Sequence, residues 1–169
     1  MKKLTREFFA LDTLTVAKAL LGKVLVYHNI KAMITETEAY HGFDDPASHA
    51  ARGMTPRNQI MYKKPGLAYV YLTYGMHHCL NFVTEKEDYP SAVLIRALQL
   101  IDKPYIEING PGRLTKYLGI TRLDNEVDIV TSPNFYVACQ QKILKFNPSV
   151  RIGIKLGLDK MWRFKAVLN

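Results

Sequence analysis

Residues 69–83 read YVYLTYGMHHCLNFV. Two β-prone runs, Tyr69–Thr73 and His77–Val83, flank Tyr74-Gly75-Met76. A short glycine-bearing link between such runs predicts an antiparallel hairpin. That hairpin decides the fold class, because antiparallel neighbours need no crossover helix. On either side of it, Lys23–Tyr27 and Ala32–Ala39 read as strands joined through His28 and Asn29, and Ala92–Leu98 reads as another. Asn134–Ala138, Arg151–Ile154 and Trp162–Val167 are the expected late strands. Helical spacing is confined to residues 5–21, with Thr5 as N-cap and Gly22 as stop, and to Pro111–Leu118 behind a Gly-Pro-Gly turn. Residues 41–67 are polar and turn-rich. A structureless loop of that length is uncommon, so a short helix or a functional loop is expected there. The expected architecture is α+β: one domain over 1–169, a mostly antiparallel curved sheet, flanking helices and a protruding β-hairpin.

The chain has 169 residues and 48% hydrophobic content, enough for one cored domain and too much for disorder. No apolar run approaches the roughly 20 residues of a membrane span, so no membrane partner is expected. The N-terminus starts basic but meets Glu7 and Asp12 before any apolar stretch forms, unlike a secretory signal. Cys79 and Cys139 are too far apart for a metal knuckle or a disulfide framework. A reducing compartment follows: cytoplasm, on the nucleoid, or the nucleus in a eukaryote. The net charge of +8 suits a polyanionic partner. Placement sharpens this, since Lys142, Lys145, Arg151, Lys155, Lys160, Arg163 and Lys165 are opposed only by Asp159 in residues 142–169.

Residues 34–40 read ITETEAY. Positions two apart on a strand share a face, so Glu36 and Glu38 point the same way from an apolar segment. Acidic side chains are rarely buried unless something pairs or uses them. One reading is a structural ion pair; the other is a general base held on a rigid strand. Arg96, inside the apolar run VLIRAL, needs a partner and finds its natural one in either glutamate. At the hairpin tip Tyr74, Met76 and His77 suit a wedge entering a nucleic-acid groove, although a tip aromatic can also fold back onto the protein. Tyr71 and Asn81 on the flanking strands can sandwich and interrogate a planar base, or be ordinary sheet residues. His49 follows Asp44, Asp45 and Ser48 in the polar loop, without the spacing of metal ligands or of a nucleophile elbow. Walker and Rossmann glycine fingerprints are absent.

Taken in order, ITETEAY, His49, TPRN at 55–58, KPGLAYVYLTYGMHHCLNF at 64–82, VLIRAL at 93–98, GPGRL at 110–114 and RIGI at 151–154 resemble the alkyladenine (3-methyladenine) DNA glycosylase family of the mammalian type. The likeness runs from about Leu4 to the C-terminus. It implies an enzyme that flips alkylated or deaminated purines out of double-stranded DNA and hydrolyses the N-glycosidic bond, leaving an abasic site. It also implies no metal and no cofactor. By the same resemblance Glu38 is the general base and Arg96 organises it. Tyr40, His49, Tyr71 and Asn81 meet the flipped base. Tyr74 fills the vacated stack, and Thr55, Met76 and His77 touch DNA. A monomer suits such scanning. The chain departs from the family pattern at His41, at His77-His78 and at Met161, changes expected to border the pocket and groove face. A non-catalytic damage-binding module and an RNA-binding protein are the competing readings.

Overall fold

In the computed structural model all residues are described except 104, 141, 142, 144 and 169. Lys142 of the basic tail thus lies outside the described residues. Among those described, nine strands form one sheet whose main path runs β3-β4-β5-β2-β1-β7. Here β1 is Val24–Tyr27, β2 Ile30–His41, β3 Ala68–Thr73, β4 His77–Val83, β5 Ser91–Leu100, β6 Glu107–Asn109, β7 Phe135–Ala138, β8 Phe146–Ser149 and β9 Arg163–Ala166. Every strand pairing is antiparallel. With three α-helices beside the sheet, the α+β expectation holds. No helix among the described residues is long and apolar enough to cross a membrane.

The first expected helix is two. Helix α1 covers Arg6–Phe9 and α2 Thr13–Ala19. Asp12 divides them, its carboxylate accepting from the Thr15 N–H as the true N-cap of α2, whereas Thr5 makes no side-chain cap bond. Helix α3, Pro111–Leu118, begins with proline in its first turn and ends at Gly119 in the left-handed region. Residues 41–67 contain two short 3₁₀ turns, His49–Arg52 and Gln59–Tyr62. The expected strand at Arg151–Ile154 is instead a loop. Gly153 there has φ +75°, and Arg151 is tied by its side chain. The strand in that region is β8, whose Pro148 suits it to pairing on one side only, with β9. The three-residue edge strand β6 carried no sequence signal.

Alternation along β2 sets the two faces. The Thr37 hydroxyl donates to the Ala17 carbonyl of α2, so that face meets the helix layer. Glu36, Glu38 and Tyr40 turn the other way. Two compensating bulges break the β2–β5 register, leaving Thr35 of β2 and Arg96 of β5 without a paired partner. One core gathers Phe9, Val16, Leu20, Leu25, Ile34, Phe82, Ile95, Leu98, Leu114 and Phe164. A smaller cluster of Ile60, Met61, Leu67, Tyr69, Val83 and Ala92 supports the polar loop. Burial of these side chains fixes the sheet that carries the site.

Candidate active site

Strands β3, β4 and β5 offer alternate residues to one concave surface. Tyr69, Tyr71 and Thr73 come from β3, Cys79 and Asn81 from β4, and Ala92, Leu94 and Arg96 from β5. Tyr40 at the end of β2, His49 and Arg52 of the polar loop, Pro111 of α3 and the 152–156 segment close a cavity of about 560 Å³. The period of two that makes the sheet thus also places three tyrosines on the pocket side. Tyr69 was visible in the sequence by that same alternation with Tyr71, yet is absent from the expected site residues.

Glu38 is fully buried just behind this wall. Its Oε2 accepts from the Tyr40 hydroxyl at 2.8 Å and its Oε1 from the Ile152 N–H at 2.8 Å. Arg96 Nη1 stands 3.4 Å from Oε1. Oε1 thus faces two donors and Oε2 one, which leaves an acceptor site on Oε2. Burial raises the Glu38 carboxyl above its ordinary range; Arg96, the Ile152 N–H, the Tyr40 hydroxyl and Arg151 pull it back. Both glutamates do reach Arg96, as their shared face requires. Glu36 Oε1 is 3.5 Å from Arg96 Nε and accepts from Arg163 Nη1 at 3.0 Å.

The His49 ring lies edge-on to Tyr71, centroids 4.6 Å apart, and its Nδ1 is 3.0 Å from the Tyr69 hydroxyl. Burial and then Arg57 lower its pKa, which favours the neutral imidazole. Tyr40 and Tyr71 are held well above the usual phenol range, chiefly by burial, and Tyr69 is pushed up to about 12. These three phenols therefore stay uncharged through neutral pH. The Asn81 amide is anchored by donation to the Tyr69 carbonyl.

Beside the pocket mouth the β3–β4 hairpin turns through Tyr74 and Gly75, both with positive φ, closed by a Met76 N–H to Thr73 carbonyl bond. Tyr74 is 85% exposed and Met76 70%, so the tip does not fold back. His77 is exposed beside them. Thr55 is exposed too, its N–H bonded to Asn58 Oδ1 and its Oγ1 accepting from the Asn58 N–H. Neither Thr55, Met76 nor His77 lines the cavity, whereas Tyr74 does.

Two expectations are corrected. His41 does not border the pocket: it lies on the opposite face of β2, its Nε2 3.4 Å from Asp12 Oδ1 and 3.2 Å from Glu85 Oε2. The basic tail is also less available than its count implied. Arg151 is buried against Asp45 and Arg163 is spent on Glu36, while Lys155 lines the cavity. Nothing in the sequence pairs Asp45 with Arg151, 106 residues apart.

A cavity of this volume, walled by aromatic rings with one buried acid behind them, has the size and lining of a site for a flat ligand such as a base. A model of the methylpurine-DNA glycosylase (MPG) family matches residues 7–168. A protein of Sodalis glossinidius is 51% identical over 97% of this chain and 96% of its own length. One of Rickettsia felis is 50% identical over 95% and 91%, and one of the Wolbachia of Brugia malayi 50% over 96% and 96%. All three carry the provisional name 3-methyladenine DNA glycosylase. The chain belongs to the methylpurine-DNA glycosylase family and is a DNA glycosylase.

Proposed function

We propose that this glycosylase takes an alkylated or deaminated purine, swung out of duplex DNA, into the aromatic cavity, and that Glu38 directs a water at the anomeric carbon of its sugar. The observation that carries the reading is the position of Glu38: buried, behind Tyr40, oriented by fixed donors, with an acceptor site left on Oε2. Loss of the purine gathers positive charge on the deoxyribose, as at any oxocarbenium centre. An ionised carboxylate in a low-dielectric wall stabilises that charge strongly. Tyr40, His49 and Tyr71 stack on and contact the base. Positive charge on an alkylated purine adds attraction to the ring faces and makes the base a better leaving group. Asn81 stands against the exocyclic amino group of normal guanine. Tyr74 enters the vacated stack and offsets part of the few kcal/mol that extrusion costs. Met76, His77 and Thr55 meet the groove or backbone, and the enzyme acts as a monomer.

Glu38→Gln tests the reading. Base release from a hypoxanthine duplex should disappear while binding of an abasic-site analogue persists. Full activity in that variant would remove Glu38 from its role. Lys155 in the cavity wall makes a second test worthwhile: borohydride should trap no DNA adduct, because hydrolysis by water forms no Schiff base.

A further inference from the structure

Three groups that favour an ionised Glu38, the Ile152 N–H, the Tyr40 hydroxyl and the Arg151 guanidinium, meet at one buried ion pair. Asp45 and Arg151 are both fully buried side chains, with Nη2 to Oδ1 at 2.8 Å and Nη1 to Oδ2 at 2.5 Å. Nη1 also donates to the Ala39 carbonyl at 2.9 Å, fixing the peptide between Glu38 and Tyr40. The guanidinium carbon lies 4.8 Å from the Tyr40 ring centroid and 5.0 Å from that of Trp162. Arg151 does not line the cavity whereas Tyr40 does, so it backs the ring from behind. The next residue is Ile152, whose N–H is donated to Glu38 and whose neighbours to Leu156 roof the cavity. At the far end of that roof Gly157 has φ +72°, and a Cβ there would meet Arg151 Nη2 at 2.8 Å and Asp45 Oδ1 at 3.6 Å. The segment closes over the pair only because residue 157 is glycine.

We propose that the Asp45–Arg151 pair is a positioning clamp for catalysis. It presents the Ile152 N–H and the Tyr40 hydroxyl to the two oxygens of Glu38 and holds the 152–156 roof over the base. This rests on the proposed role of Glu38 as base. A buried ion pair is a poor source of net stability compared with apolar replacements, so its geometry, not its energy, is the better reason for it. The groups facing Glu38 are Tyr40 from its own strand, Arg96 from β5, Cys79 from β4, and Arg151 with the Ile152 N–H from the roof; Glu36 shares Arg96, and Arg163, paired opposite Glu38 on β9, turns its guanidinium to Glu36 and the Val150 carbonyl. Loosening the clamp removes the roof donor, frees Tyr40 and withdraws one cation, all in the sense that disfavours the carboxylate.

The test is single-turnover excision from a hypoxanthine duplex with enzyme in excess, from about pH 5 to about pH 9, with Arg151→Met and Arg151→Lys. In Arg151→Met the acid limb should move up by about one pH unit and the neutral-pH rate fall roughly tenfold, with affinity for an abasic-analogue duplex held within about threefold. Arg151→Lys should return the limb most of the way. A wild-type limb and rate in Arg151→Met overturns the proposal. So does a rate that falls together with DNA affinity while the limb stays put, which is what a purely structural role gives. Should Arg151→Met not fold, the double variant Asp45→Asn/Arg151→Met removes both buried charges and is read by the same criteria. Glu38→Gln separates the layers: if it still excises, the assigned base is wrong whatever Arg151 does; if it is dead and Arg151→Met is normal, only the clamp falls.

Discussion

Glu36 and Glu38 sit two residues apart on one strand, share one arginine and are both buried, yet their surroundings differ in kind. Glu36 lies between two cations, Arg96 and Arg163, and between the two register breaks of β2, and it does not line the cavity. Glu38 has one cation at 3.4 Å and two neutral donors, one of them on a residue that lines the pocket. Charge compensation makes the first a structural ion cluster. Burial with less compensation raises the carboxyl of the second and leaves an acceptor site on its Oε2, which is what the proposed role as base would use. The structural ion-pair reading of the motif is met at Glu36, and the general-base reading is the one proposed for Glu38.

The largest expected effect is on chemistry. Glu38→Gln should lower base release by about a thousandfold or more in single-turnover assays, within the range general base catalysis supplies. Glu36→Gln should retain excision within about tenfold and instead lose about 3 kcal/mol of stability in urea melts, because Arg96 and Arg163 lose a buried counter-charge. If Glu36→Gln is the dead variant and Glu38→Gln the unstable one, the roles are reversed.

Next comes the hairpin tip against the pocket. Tyr74→Ala should weaken capture of the flipped base by about tenfold, the worth of one stacking contact, and should leave the pH profile untouched. A shifted profile would mean that the tip also shapes the acid. Asn81→Ala should raise release of undamaged guanine severalfold relative to hypoxanthine, measured as free base, if the amide excludes its amino group.

The smallest effect concerns stability and pH. A carboxyl raised in the folded state binds more protons folded than unfolded between the two pKa values. Glu38 therefore contributes less stability as pH rises from its unfolded value of about 4.5 through its raised folded value. Wild type should lose stability across that window relative to Glu38→Gln, so the variant should melt slightly higher at neutral pH. Activity runs the opposite way, falling as acid protonates the base. Equal melting of the two proteins across the window would place Glu38 in an ordinary solvated environment and blur its contrast with Glu36.

The sequence by itself determined the hairpin, the antiparallel sheet and the shared face of Glu36 and Glu38, because strand periodicity and turn chemistry are local. It also carried the motif stretches in which Tyr40, Tyr71, Asn81, Arg96 and the exposed Tyr74 were picked out. Local rules misjudged the split of the first helix at Asp12, where a cap outcompeted helical continuation, and the 151–154 segment, where a side chain buried against a residue 106 positions away replaced a strand ladder. His41 was expected to border the pocket, yet it turns to the face opposite Tyr40, where Asp12 and Glu85 meet it. Only the tertiary structure decided which glutamate is under-compensated, which arginines of the basic tail are consumed inside, and that the 152–156 segment roofs the cavity. Each of these depends on desolvation and on contacts between distant segments, quantities that neighbouring residues along a chain do not contain.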